Sequence, residues 1–215
     1  MQIINKLEIT TRQELRNWLI ENYDKPTQAW IPVLSKSPGR MGEQFGESQT
    51  TSPEELSYLA IVEECLCFGW IDSTKKRLGL SPDGKRLDHT TGTGDVMFQR
   101  ISPRRKSGNW TELNKERVRR LMRVGLMHPQ GEKVLPDMDI ANFTIRQDVM
   151  DAIKTDPVIY ENFTKLPALY IRIRIDNIQG YPQGDETYNR RLEKFLQNTK
   201  ENKLYGEWND DGRLL

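Results

Sequence analysis

The residues best suited to chemistry are concentrated between Cys65 and Gly125. This stretch holds Trp70, Asp72, Lys75 and Arg77, then Gln99, Arg100, Ser102, Arg104, Arg105, Lys106 and Trp110, then Asn114 and Arg117. Arginine offers a planar fork of donors that fits phosphate or carboxylate, and an indole can stack on a base or a guanidinium. The basic loop 102–109 also runs into a predicted helix start, whose free N–H groups attract anions. The pattern predicts an anion-binding surface made of Trp70, Lys75, Gln99, Arg100, Arg104, Arg105, Trp110, Asn114 and Arg117. The competing reading is that these arginines pair with acidic flanks and the tryptophans are core.

Asp72 is the candidate catalytic group. If residues 70–78 form a regular strand, Trp70, Asp72 and Thr74 share one face and Ile71, Ser73 and Lys75 the other. A carboxylate beside a large ring needs a hydrogen bond or an ion pair. The plain reading is a structural bridge to an arginine, and the sharper one is an acid–base group with a shifted pKa.

Other templates are missing. The sequence has no G-x-S-x-G, Walker A loop or H-E-x-x-H, and Gly92-Thr-Gly94 is too short for a dinucleotide fingerprint. The two histidines, His89 and His128, predict neither a metal site nor a triad, so no metal and no cofactor are expected. Cys65 and Cys67 are the only cysteines, two positions apart in a predicted helix. Such neighbours point to different sides, which predicts buried, reduced thiols.

Charge is uneven along the 215 residues: −4 over 1–64, +8 over 65–131 and −3 over 132–215. A basic middle in a nearly neutral chain suggests an anion-facing surface or an internal docking site for the flanks. No apolar run reaches the ~18 residues of a membrane span. The start, MQIINKLEITTRQEL, does not read as a signal peptide, so a cytoplasmic location is expected.

The elements that must position these groups can be read locally. Thr11-Arg-Gln-Glu14 is a capping box that opens a helix over 11–23. Residues 28–35 read as a strand, placed at a sheet edge because Pro32 cannot donate to a ladder. Ser52-Pro-Glu-Glu55 predicts a second capped helix, 52–68, stopped by Gly69. Residues 70–78 and 96–101 read as a hairpin with a long turn-rich connection, 79–94. A helix capped by Asn109 or Thr111 follows, with Asn114, Val118, Leu121 and Met122 on one face and Gly125 at its end. The last third reads as helices over 148–155, 157–166 and 187–202. Residues 167–180 alternate like a strand at Ile171, Ile173 and Ile175, but Ala168, Ile171, Ile175 and Ile178 fit a helix. The helix is preferred because a strand there has no partner. The tail after Gly206 reads as short, polar and frayed. The predicted fold is α+β: a small antiparallel sheet packed by helices, with a helical C-terminal half, in a single domain over 1–215 (an α+β part, 1–127, and a mostly helical part, 128–215).

Several stretches resemble the YdeI/OmpD-associated, or bacteriocin-protection, family. They are Glu63-Glu-Cys-Leu-Cys-Phe-Gly-Trp-Ile-Asp-Ser73, Phe98-Gln-Arg-Ile-Ser-Pro-Arg-Arg-Lys-Ser107, Trp110 with Asn114-Lys-Glu-Arg117, and Gly125-Leu-Met127 with Pro129. Glu186-Thr-Tyr-Asn-Arg-Arg-Leu-Glu-Lys194 is similar to that family's terminal helix, and Trp18 and Trp30 extend the resemblance over most of the chain. The resemblance implies an association with resistance to bacteriocins and antimicrobial peptides, and it brings no catalytic residues with it.

Three functions follow. The first is a non-enzymatic module that binds an anionic small molecule, with nucleic acid the less favoured ligand. The second is an enzyme on a phosphorylated or carboxylated small molecule, with Asp72 as acid–base group and Arg100 and Arg104 as anion clamps. The third is a stress-related interaction protein whose basic segment is internal glue.

Overall fold

The computed structural model describes residues 5–33, 56–78, 96–105 and 108–215. The predicted loop 36–51, the capping box at Ser52, the connection 79–94 with His89, and Lys106 lie outside the described residues. The described chain forms two compact units, Met1–Gly108 with Val118–Leu135 and Asn109–Arg117 with Pro136–Leu215. Among the described residues no helix is long and apolar enough to cross a membrane.

The first unit begins with α1 (Arg12–Asn22), opened by the predicted capping box. Glu14 N–H donates to the Thr11 hydroxyl, and the Glu14 carboxylate accepts from the Thr10 and Thr11 N–H groups. The sheet follows from β1 (Ala29–Val33), β2 (Trp70–Leu78) and β3 (Val96–Pro103), in the order β1-β3-β2, all antiparallel. Pro32 therefore sits on an edge strand, as its missing N–H requires.

Helix α2 (Tyr58–Cys67) is the described part of the predicted helix 52–68, and Ser57 caps it. It is buried from Leu59 to Cys67, which suits a helix apolar on nearly every side. The exceptions are Glu63 and Glu64, each 1% exposed. Arg12 and Arg120 pair with Glu63, and Arg12 and Arg16 pair with Glu64, at 2.6–3.0 Å. Two buried charges survive in this core because cations from α1 and α3 (Glu112–Arg123) neutralise them. Gly69 ends α2 with φ +72°. Helix α4 (Pro129–Glu132), capped by His128, comes so close to the end of α2 that a Cβ on Gly131 would lie 2.1 Å from the Cys67 carbonyl oxygen.

The second unit is helical: α5 (Gln147–Lys154), α6 (Pro157–Phe163), α7 (Ala168–Gln179) and α8 (Glu186–Lys200). Asp156 and Asp185 cap α6 and α8. Their core gathers Val149, Ile153, Phe163, Tyr170, Ile175, Ile178, Tyr188 and Phe195. The alternating isoleucines belong to α7, where Ile173, Ile175 and Ile178 are buried.

Two expectations need correction. Met122 is exposed, whereas Val118 and Leu121 are buried, since one step past Leu121 turns the side chain about 100° away from the core. The tail after Gly206 is packed and not frayed: Leu214 joins Leu169 and Ile173, and Asp210 is buried in an ion pair.

Candidate functional site

A β-bulge decides where the candidate side chains go. Asp72 pairs with Ile101 and Lys75 with Gln99, so three steps along β2 match two along β3. The extra residue shifts the alternation by one. Lys75 therefore lies on the same face as Trp70 and Asp72, not opposite them as a regular strand predicts, and Lys76 moves to the other face.

The helix-covered face holds one half-buried carboxylate, Asp72. Tyr58 Oη donates to Asp72 Oδ2 at 2.8 Å, and Lys75 Nζ lies 3.6 Å from the Tyr58 ring centroid. Arg104 is 7% exposed. Burial lowers its pKa, and the charges of Asp72 and then Cys65 oppose that shift. Burial drives the Cys65 thiol well above its ordinary range, with the charges of Asp72 and Glu64 adding to the effect. Trp70 is fully buried: its Nε1 donates to the Tyr23 carbonyl at 3.3 Å, and its ring meets Trp18 edge-on. Gln99 is fully buried, and its Oε1 has no hydrogen-bond partner among the described residues.

The opposite face carries cations over aromatic rings. Trp30 pairs with Arg100, and Phe98 pairs with both Pro32 and Lys76, so these side chains share one face. Lys6 Nζ lies 5.0 Å from the Phe98 centroid and Lys76 Nζ 5.7 Å from that of Trp30. Arg100 Nε donates to Ser73 Oγ at 2.9 Å. Both rings are buried. Among the described residues, the side chains directed to this face from the strands include no carboxylate: they are Trp30, Pro32, Ile71, Ser73, Lys76, Phe98, Arg100 and Ser102.

The predicted set is thus divided. Trp70, Asp72, Lys75, Gln99 and Arg104 share the helix-covered side, and Arg100 lies on the other. The two arginines proposed as clamps do not converge on Asp72. Arg105 is exposed just beyond β3. Trp110, Asn114 and Arg117 belong to the second unit, where Trp110 is half-buried. The Arg117 guanidinium is held by Asp210 and by Asn114 Oδ1. Sequence reasoning missed Lys6, Trp30, Lys76 and Tyr58. Lys6 lies outside the basic segment, and Lys76 reaches its face through a bulge that no glycine announces. A shallow groove beside α8, lined by Ile159, Leu192 and Leu196 among others, includes none of the candidates.

Residues 7–134, more than half of the chain, match a family model described as Domain of unknown function (DUF8412). The chain belongs to that family. Residues 142–202 match a second model, described as Bacteriocin-protection, YdeI or OmpD-Associated. The YdeI/OmpD-associated resemblance therefore holds, with its matched segment in the helical unit. Of the stretches that carry the resemblance, 186–194 lies in that segment, whereas those between 63 and 129 lie in the DUF8412 part. No curated protein and no solved structure matches the chain.

Proposed function

We propose that this protein is a non-enzymatic binding module that holds an anionic ligand through Lys6, Lys76 and Arg100, on the sheet face opposite α2. The observation that carries this reading is the grouping on one sheet face of Lys6 over Phe98, Lys76 near Trp30, and Arg100 opposite Trp30. Paired charges, such as those around Glu63 and Glu64, are structural. A sheet face that gathers basic side chains favours an anionic ligand. The description of the second family supports a setting for this binding, namely protection against bacteriocins or antimicrobial peptides.

A second reading keeps the chain as an enzyme and draws on the Tyr58 hydroxyl that donates to Asp72. It loses Arg100 as an anion clamp.

A thermal-shift screen against anionic metabolites tests the proposal. A ligand at about a hundred times its Kd stabilises the folded state by roughly 2.7 kcal/mol. The expected outcome is an upward shift in Tm that Arg100→Ala abolishes. If no anion shifts Tm, the reading is wrong.

A further inference from the structure

We propose that the segment Asn209–Leu215 is a displaceable strap over a peptide-recognition site. The occupant it gives way to is a partner segment carrying a carboxylate and, four residues further on, a leucine. The residues that make the site and the strap all belong to the second unit.

The strap is fastened at two points. Asp210 sits in the fork of Arg117, with both hydrogen bonds at 2.8 Å. Leu214 packs on Leu169 and Ile173, with Leu113 beside them. Between and beyond those points Asp211, Gly212, Arg213 and Leu215 are exposed. The Leu214 contact is a small apolar cluster of its own, whereas Val149, Ile153, Phe163 and their neighbours form the main core of the unit without it. Trp208 packs against both clusters, and its ring meets Tyr170 edge-on at 5.5 Å. It marks where the fixed chain ends and the strap begins.

The backbone between the two fastenings is strained. Asp210, Asp211 and Gly212 adopt φ +48°, +56° and +84° in succession. Glycine takes the left-handed region freely and aspartate better than most residues, but two side-chain-bearing residues in a row are held there against their preference. Such strain persists only while surrounding contacts enforce it, and it is characteristic of clamps and switches. Releasing the strap relaxes that backbone at the cost of one ion pair and one buried leucine.

The receiving surface keeps its shape without the strap. Arg117 also donates from Nη1 to Asn114 Oδ1 at 2.9 Å, one turn earlier on α3, which aims the fork. Leu169 and Ile173 stand one turn apart on α7. A guanidinium fork beside an apolar patch reads two features at once, a carboxylate and an aliphatic side chain. When Asp210 leaves, the largely buried guanidinium favours another carboxylate in its place. The strap carries the matching pattern in its own sequence, Asp210 and Leu214.

Fluorescence anisotropy of a labelled peptide with the sequence of Gly206–Leu215, titrated with the full chain, tests this. In the native chain the tethered strap competes at high effective concentration, so the peptide binds weakly. A release variant with Asp210→Ala and Leu214→Ala is expected to bind it at least about tenfold more tightly. Peptides with Asp210→Asn or Leu214→Ala should each lose most of that gain, and Arg117→Ala added to the release variant should abolish it. Native-state hydrogen exchange gives a second measurement. The Leu214 amide, bonded to the Asn209 carbonyl at 3.1 Å, should exchange faster than amides in the middle of α7. Equal peptide affinity in the native chain and the release variant overturns the proposal. So does a Leu214 amide that exchanges no faster than those of α7, or a release variant that loses its helical circular dichroism, because the segment is then part of the fold. A dimer of the native chain that the release variant does not form overturns it in favour of a second copy exchanging the same segment.

Discussion

Arg117 holds Asp210 through two parallel hydrogen bonds of 2.8 Å, Nε to Oδ2 and Nη2 to Oδ1. The carboxylate is 5% exposed and its residue adopts φ +48°, followed by Asp211 and Gly212 at positive φ. A left-handed backbone costs about 1–2 kcal/mol at a residue with a side chain, so the tail is held in place by its contacts. Removing one partner of a buried pair typically costs about 3–5 kcal/mol. Arg117→Ala is expected to destabilise the chain by that order in urea denaturation. A change below about 1 kcal/mol would mean the pair behaves like an exposed one.

Asp176 accepts the Glu112 N–H at 2.9 Å. Burial raises its pKa from the ordinary 3.8; the hydrogen bond from Glu112 N–H opposes the shift, and the Glu112 charge adds to it. An acid raised on folding holds its proton more tightly in the native state. Its stabilising contribution is full below the unfolded pKa and is lost as pH rises through the folded one. At neutral pH the charged form is therefore a burden. Asp176→Asn retains an acceptor oxygen and should equal or exceed the native chain in Tm at pH 7, with the difference narrowing towards pH 3–4 (about the ordinary aspartate value). A variant less stable at pH 7 would refute this.

Buried and exposed ion pairs should separate sharply in worth. Glu64, 1% exposed, faces both Arg12 and Arg16, so Glu64→Ala removes the carboxylate from part-buried Arg16 and leaves Arg12 with Glu63 alone. A loss of about 3–5 kcal/mol is expected. Lys165 and Glu161 form an i,i+4 pair on the surface, and Lys165→Ala should change stability by no more than about 0.5 kcal/mol. Denaturation midpoints of the two variants decide the matter, and similar losses would sink the distinction.

The two thiols should be inert in the folded chain. Burial, with the Glu64 charge adding and Arg16 opposing, pushes Cys67 up to about 12, and Cys65 rises well above its ordinary range. The thiolate is the nucleophile, so iodoacetamide at pH 8 should label neither residue until the chain is unfolded. Mass spectrometry that finds rapid native labelling at either position would contradict this burial.

Much of the fold was legible because it depends on short stretches. The Thr11–Glu14 box, the edge position of Pro32 and the left-handed Gly125 follow from the chemistry of a few adjacent residues. Ala168–Gln179 forms a helix, as expected where a strand has no pairing partner.

The candidate site was legible only in composition. A basic, aromatic segment with an acid in it is visible from residue types, and local periodicity predicts which side chains alternate. The tertiary structure decided which of them meet. One extra residue between Asp72 and Lys75 exchanges the faces of Lys75 and Lys76, and β-pairing brings Lys6 and Trp30 to Arg100 from outside the segment. The tail looked polar because its one deep anchor, Leu214, and its ion pair with Arg117 depend on partners far away in the chain. Capping and periodicity act within one or two turns and can be read along the sequence, whereas register and ion pairing join distant residues and exist only once the chain has packed.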